Sequence, residues 1–314
     1  MSSAGFVPET RNLTGDDAWR LLRCTGVGPL VTNAFRRMRV ADGFSHARSL
    51  AFMISLVAIQ GLIGMVGLAS VLHRGSISTM IDATVRRIVP GPAGQVLTTA
   101  VNQAHRVAEG HQYSAMFFGI IGALVTATTA MGQVERGLNR IYGIEQDRPS
   151  RQKYELALLF AVSAGTLILL AFVSLTFGQD LFHATGVDVL SSLWAVVRWP
   201  LGLALLAVAV TVLFRWSPRR RQPSLSWLAF GAGVSVALWG LTAAGLGLFY
   251  WSSSSFGTTY GPLAGVVALL LWCMLSSIGL FYGAAVAAQL EAIRANKPEP
   301  QDVTKVREST SSAT

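Results

Sequence analysis

The sequence predicts an all-α polytopic membrane protein with six transmembrane helices, both termini in the cytoplasm and amphipathic helices in the first external loop. Three observations predict it. The 314 residues are 52% hydrophobic and only 13% charged, with mean hydropathy +0.48, whereas soluble domains carry about 25% charged residues. Six apolar segments approach or exceed the roughly 20 helical residues needed to cross a hydrocarbon core of about 30 Å. The basic residues between them alternate between rich and poor loops, as the positive-inside bias produces.

Residues 1–47 form a polar, cytosolic lead-in. Thr14 followed three residues later by Asp17 marks a helix start with acids in its first turn. After the Gly26-Val27-Gly28-Pro29 break, LVTNAFRRMRV is a short basic amphipathic stretch. It suits either the membrane surface or a protein-packed helix. The lead-in has no early apolar core of the signal-peptide kind.

The membrane domain covers 48–291, with spans expected at about 48–72, 114–131, 156–178, 199–216, 227–251 and 262–288. The first carries Gly61, Gly64 and Gly67 and one strongly polar side chain, Gln60. The second contains Thr126, Thr128 and Thr129. Tryptophans bracket the fourth and fifth, which places their ends at the headgroup level. The sixth has no Asp, Glu, Lys, Arg or His between Gly261 and Ala288, and Gly279, Gly283 and Ala287 recur at four-residue spacing. Such a face lets another helix backbone approach closely in lipid. Residues 292–314 are polar and expected to be a disordered cytosolic tail.

The first external loop, about 73–113, shows two apolar faces: Ile77, Ile81, Val85 and Ile88, then Leu97, Val101, Ala104 and Ala108 after Pro90-Gly91-Pro92. Two amphipathic helices are expected there, on the outer surface or capping the bundle. The loop WSSSSFGTTYGP before the sixth span is expected to be a plain connection.

The net charge of +9 follows this topology. Twenty of the 25 basic residues lie in the N-terminal region, the second loop, the fourth loop and the C-terminal tail. Six spans with both termini inside put all of these in the cytoplasm. Little charge is then left to argue for nucleic acid.

Several segments together resemble the BrkB/YihY family of bacterial inner-membrane proteins, some of which carry an older ribonuclease label regarded as a misassignment. The segments are ADGFSHARSLAF, GLNRIYGI, RWP…LFRWSPRRR, Trp239 and YGPLAGVVALLLWCMLSSIGLFYGA, in order between Phe35 and Glu291. The resemblance implies an inner-membrane location and this topology. The chain departs from the family in two places. Gln60 stands where relatives commonly carry a proline, and Gly283-Ala284-Ala285-Val286-Ala287-Ala288-Gln289 replaces a Gly-Ala-Glu-Leu-Asn-Ala-Glu-like sequence.

The chemistry the residues allow is narrow. Acids are scattered through loops and tails and absent from the span interiors, which argues against an enzyme and against a buried carboxylate relay. His105 and His111, six apart, are poorly spaced as ligands on one helix, and Cys24 and Cys273 fall in different environments. No metal, cofactor or disulfide is expected. The candidates for a substrate pathway are Gln60, Thr126, Thr128, Thr129, Ser276 and Ser277. Back-bonding to the helix is the plainer role for the hydroxyls, whereas a lone amide in hydrocarbon needs a partner helix or water. Gly61, Gly64, Gly279, Gly283 and Ala287 are expected to pack helices. The expected partners are membrane lipids and a small-molecule or lipid substrate. The function that follows is a transporter or exporter for a small or amphiphilic solute; the alternative is a non-transporting scaffold of the cell envelope.

Overall fold

The computed structural model describes residues 4–10, 13–71, 81, 85–86, 88–183, 188–253, 256–297 and 299–300. Within these, the side chains of 107–111, 150, 164, 168–169, 171–193, 195, 257–258 and 262 lie outside the description. The helices are α1 (Gly15–Thr25), α2 (Val27–Val40), α3 (Gly43–Val71), α4 (Gly91–Ile141), α5 (Ser150–His183), α6 (Asp188–Trp216), α7 (Leu225–Ser252), α8 (Phe256–Tyr260) and α9 (Ala264–Arg294). A single 3-10 turn, Gly261–Leu263, joins α8 to α9.

Local chemistry sets the boundaries. Thr14 and Asp17 form a capping box at the start of α1. Gly26, at φ 81°, breaks α1 from α2, and Asp42, at φ 54°, turns the chain into α3. Proline in the first turn of α4 needs no amide partner there. Ser224 caps α7, its side chain accepting from the Trp227 amide.

Five segments among the described residues are long and apolar enough to cross a membrane: Gly43–Val71, Gln112–Ile141, Val196–Trp216, Leu225–Ser252 and Ala264–Arg294. The expected third span, 156–178, runs along α5, and much of its second half lies outside the residues whose side chains are described.

The first loop differs from expectation. Leu97, Val101 and Ala104 do not form a separate amphipathic helix, because the 51-residue α4 runs unbroken from this loop through the second span. No proline follows Pro92 before Ile141, so the hydrogen-bond ladder continues. Ile81, Val85, Val89, Leu97, Val101 and Ala104 are buried in a cluster with Ala268, Leu269 and Cys273 of α9. Ile77 and Ala108, from the same two faces, lie outside the described side chains.

The tail also differs. Helix α9 continues to Arg294, with Glu291 and Ala292 buried. The tail from 301 onward lies outside the described residues.

Helix α9 is the hub, packing on α2, α3, α4 and α7, while α5 and α6 pair with each other and join the rest through α4 and α7. Lipid supplies no hydrophobic force between helices, so close backbone approach matters. Between α3 and α4, a Cβ on Gly64 would lie 2.9 Å from the Ile120 amide nitrogen, and one on Gly67 would strike the Met116 backbone. Between α7 and α9, a Cβ on Gly231 would lie 2.6 Å from the Gly283 carbonyl oxygen and 2.9 Å from the Ala287 Cβ. A Cβ on Gly283 would overlap the Ser235 hydroxyl and the Gly231 carbonyl, and one on Gly279 would lie 3.3 Å from the Leu238 Cβ.

Gly61 stands apart. A Cβ there would meet nothing within 4 Å. Two steps of three residues turn about 120° around a helix, which carries Gly61 well away from Gly67.

Candidate functional site

The residues proposed as a pathway are bonded locally. The Thr128 hydroxyl donates to the Leu124 carbonyl at 2.8 Å, Thr129 to Val125 at 3.1 Å, Ser276 to Trp272 at 2.7 Å and Ser277 to Cys273 at 2.8 Å. Each is a bond to the preceding helical turn and leaves the hydroxyl no strong donor role across the bundle. Gln60 and Thr126 are different, because the Thr126 hydroxyl donates to the Gln60 Oε1 at 2.8 Å and ties α4 to α3. Gly122 makes room for this amide, since a Cβ there would lie 3.3 Å from the Gln60 Cδ. Cys24 and Cys273 are both free thiols.

The densest polar chemistry lies instead at one end of the bundle, where five chain segments meet. Arg220, in the loop between α6 and α7, donates to the Glu291 Oε1 of α9 at 2.6 Å, and both side chains are almost fully buried (2% and 0% exposed). The Thr10 amide and hydroxyl donate to the same oxygen at 3.2 and 3.1 Å. The Arg220 guanidinium lies 4.7 Å from the centroid of the Tyr142 ring, just beyond the end of α4. It also donates to the Val7 carbonyl at 3.1 Å. Glu291 Oε2 has no hydrogen-bond partner among the described residues.

Arg37 of α2 enters from the other side. Its Nε donates to the Gln289 Oε1 at 2.9 Å, and its Nη1 to the carbonyls of Gly5 and Ile141 at 3.2 and 3.3 Å. Burial pushes this guanidinium down to about 10, against the opposing pull of Tyr142 and Glu291. Burial likewise raises the Tyr142 phenol well above its ordinary value.

The N-terminal segment seals this joint. The Ala4 amide donates to the Arg140 carbonyl at 3.1 Å and the Val7 amide to the Tyr142 carbonyl at 3.2 Å. Gly143, at φ 78°, leaves space for it, since a Cβ there would lie 2.6 Å from the Ala4 carbonyl oxygen.

A second group of charges braces the adjoining loops. Arg148 pairs with Glu135 at 3.1 Å and donates to the Ser217 carbonyl at 2.6 Å. Asn139 donates to Asp147 at 3.3 Å and accepts from the Arg219 amide at 2.8 Å. Acids that are scattered in sequence are therefore gathered at one end of the fold. In the sequence Gln289 stood out only as a departure from the family pattern, and Glu291 was given no role. The signal available was a Glu three residues beyond an uncharged tract, beside loops dense in arginine.

An unbroken set of long apolar helices with its charged groups folded into one end defines an α-helical polytopic membrane protein. The virulence factor BrkB family matches residues 34–307, and the chain belongs to that family. The joint is built from GLNRIYG and RWSPRRR, two segments that carried the resemblance, together with α2 and α9.

The chain is 24% identical over 261 residues to the ribonuclease-like protein YfkH of Bacillus subtilis (strain 168), covering 82% of this chain and 93% of the relative. It is 26% identical over 256 residues to a UPF0761 membrane protein of Halorhodospira halophila, covering 81% of this chain and 55% of the relative. It is 31% identical over 211 residues to a UPF0761 membrane protein of Alteromonas mediterranea, covering 63% of this chain and 67% of the relative. The chain thus spans about half the length of some UPF0761 proteins that it matches. No solved structure matches it.

Proposed function

We propose that the protein is a transporter or exporter in the bacterial inner membrane that moves a small or amphiphilic solute, lipids included, and that the Arg220–Glu291 joint closes its cytoplasmic end. The observation that carries this reading is a buried ion pair assembled from separate segments in a chain whose spans hold no charge at their centres. A buried pair contributes little net stability, and apolar groups of similar volume often serve as well. A joint that had only to stay closed could be apolar. One that opens gains from groups that water can solvate once separated. Glu291 Oε2, buried with no hydrogen-bond partner among the described residues, supplies an acceptor for a solute or water in such a state. No reaction is assigned to the chain.

Six spans fit this reading. Arg148 and Ser217 are hydrogen-bonded, so the α5–α6 hairpin begins and ends on one side of the molecule. With a candidate span in α6, that pairing supports α5 as a further crossing. The joint unites the N-terminus, the second loop, the fourth loop and the end of α9, which supports placing all four in the cytoplasm.

The test is reconstitution into liposomes with a fluorescent phospholipid whose outer-leaflet copies are reduced by dithionite. Reduction beyond the outer-leaflet fraction, altered by Glu291→Gln, is expected. Reduction equal to that of protein-free liposomes, together with no uptake of small solutes, would sink the proposal.

One set of observations favours the scaffold alternative. The Gly64–Gly119 and Gly231–Gly283 contacts are closed backbone to backbone, and the Thr and Ser hydroxyls turn back on their own helices. An inert liposome result with a normally folded protein is the outcome that reading expects.

A further inference from the structure

We propose that the α1–α2 hairpin is a docking surface for the anionic phospholipid headgroups of the leaflet it lies against. This inference stands whether or not the protein transports.

Helix α2 is divided lengthwise into three strips. Leu30, Ala34, Arg37 and Met38 are buried, and the helix packs on α9. Beside that strip, Val27, Val31 and Phe35, spaced by four, are 61%, 46% and 49% exposed. Arg36 and Arg39 follow on the outer side and are exposed. An order of protein, apolar flank and basic edge is the section of an interfacial helix, with one side in the acyl boundary and the next among headgroups.

Two contacts set the apolar flank against the last turns of α9's apolar tract and the first turn of α3. The Tyr282 hydroxyl of α9 donates to the Val31 carbonyl at 3.1 Å. The Phe35 ring lies 5.8 Å from Phe44, the second residue of α3, in an edge-on arrangement. An apolar strip so placed faces lipid rather than open water.

Helix α1 extends the basic edge. Trp19 sets its ring edge-on to Phe230 at 5.6 Å and lines, with Asp16, Arg20 and Arg23, a surface recess of about 400 Å³. Tryptophan suits the headgroup level. Asp17, the neighbouring acid, is committed to the helix cap, and its hydrogen bonds with Thr14 hold its carboxyl below the usual range. Asp16 is thus the one acid lining the recess.

The charge balance selects the ligand. Arg20, Arg23, Arg36 and Arg39 are exposed, and among the described residues none makes an ion pair, whereas Arg37, Arg148 and Arg220 are bonded inside the fold. Each arginine near an anionic leaflet strengthens association by about fivefold. A soluble acidic partner would leave the strip of Val27, Val31 and Phe35 uncovered; a leaflet covers both strips at once.

The test compares the full-length protein in nanodiscs of phosphatidylcholine with nanodiscs containing phosphatidylglycerol. Phosphatidylglycerol should raise the wild-type unfolding temperature, and high ionic strength should shrink that shift. The variant Arg20→Gln/Arg23→Gln/Arg36→Gln/Arg39→Gln should unfold like wild type in phosphatidylcholine and lose most of the shift. If this variant is less stable in phosphatidylcholine, the two pairwise variants serve, each expected to lose part of the shift. An equal shift in wild type and variants, or a shift reproduced by inorganic phosphate in phosphatidylcholine, overturns the proposal.

Discussion

Arg220 and Glu291 meet at 2.6 Å inside the protein, 71 residues apart in the chain, and share their neighbourhood with Thr10 and the face of the Tyr142 ring. A carboxylate and a guanidinium so placed have exchanged water for each other. Removing one therefore harms more than removing both. Glu291→Ala leaves Arg220 uncompensated and should cost about 3–5 kcal/mol. The double variant Glu291→Leu/Arg220→Met should recover much of that loss. Unfolding in detergent, run as a double-mutant cycle, checks this, and strictly additive losses would contradict it.

Gly283 faces Gly231 and Ser235 with no room for a side chain. Gly283→Leu should therefore prevent stable accumulation in the membrane, because the obstacle is backbone that cannot rotate away. Gly240→Leu is the control, since a Cβ there meets nothing within 4 Å. Immunoblots of membrane fractions decide between them; equal levels of the two variants would mean that the α7–α9 contact is not the one described.

The long apolar helices were legible because hydropathy and length alone specify them, and the sequence-derived spans 48–72 and 227–251 differ by only a few residues from Gly43–Val71 and Leu225–Ser252. Helix α4 was not, since an amphipathic run followed by an apolar span reads as two elements even where no proline separates them. The joint was hidden for a different reason. It is assembled by contacts as distant as Thr10 with Glu291, and sequence spacing carries no signal for groups brought together only by tertiary packing. Gln60 was expected to need a partner helix or water, and its chemistry could not say that Thr126 would bond it.

Gly143 occupies a left-handed conformation against the strand of residues that crosses the joint. Gly143→Ala adds about 1–2 kcal/mol of backbone strain. It also drives a methyl into the Ala4–Phe6 segment. Loosening of the N-terminal segment is expected ahead of any loss in the helices. Hydrogen exchange at the Val7 amide, which donates to the Tyr142 carbonyl, should accelerate at least tenfold. Unchanged protection there would show that the segment does not depend on Gly143.

Gln60→Leu removes the acceptor for Thr126 while keeping the volume of the side chain. If the pair only joins α3 to α4, the loss is about 0.6–1.7 kcal/mol, the range of interhelical bonds in membranes. Liposome activity then stays unchanged. A fold-competent Gln60→Leu protein that has lost activity would instead put the pair on the solute's route. Measuring stability and flux on the same preparation separates the two roles.

Membrane sidedness follows from which loops share the joint. Arg37, Arg140, Arg148, Arg220 and Glu291 lie on segments tied together at one end by hydrogen bonds. Any reporter attached near these segments must therefore face the same compartment. Under the proposed topology, the excess of lysine and arginine there puts that compartment in the cytoplasm. Fusions after Ser150 and after the C-terminal tail should both be active with a cytoplasmic reporter and silent with an external one. A fusion within the first loop, after Gly75, should give the reverse. Opposite signals at Ser150 and the tail would require an odd number of crossings between them. That would contradict the pairing of α5 with α6 and the placement of Glu291 beside Arg220.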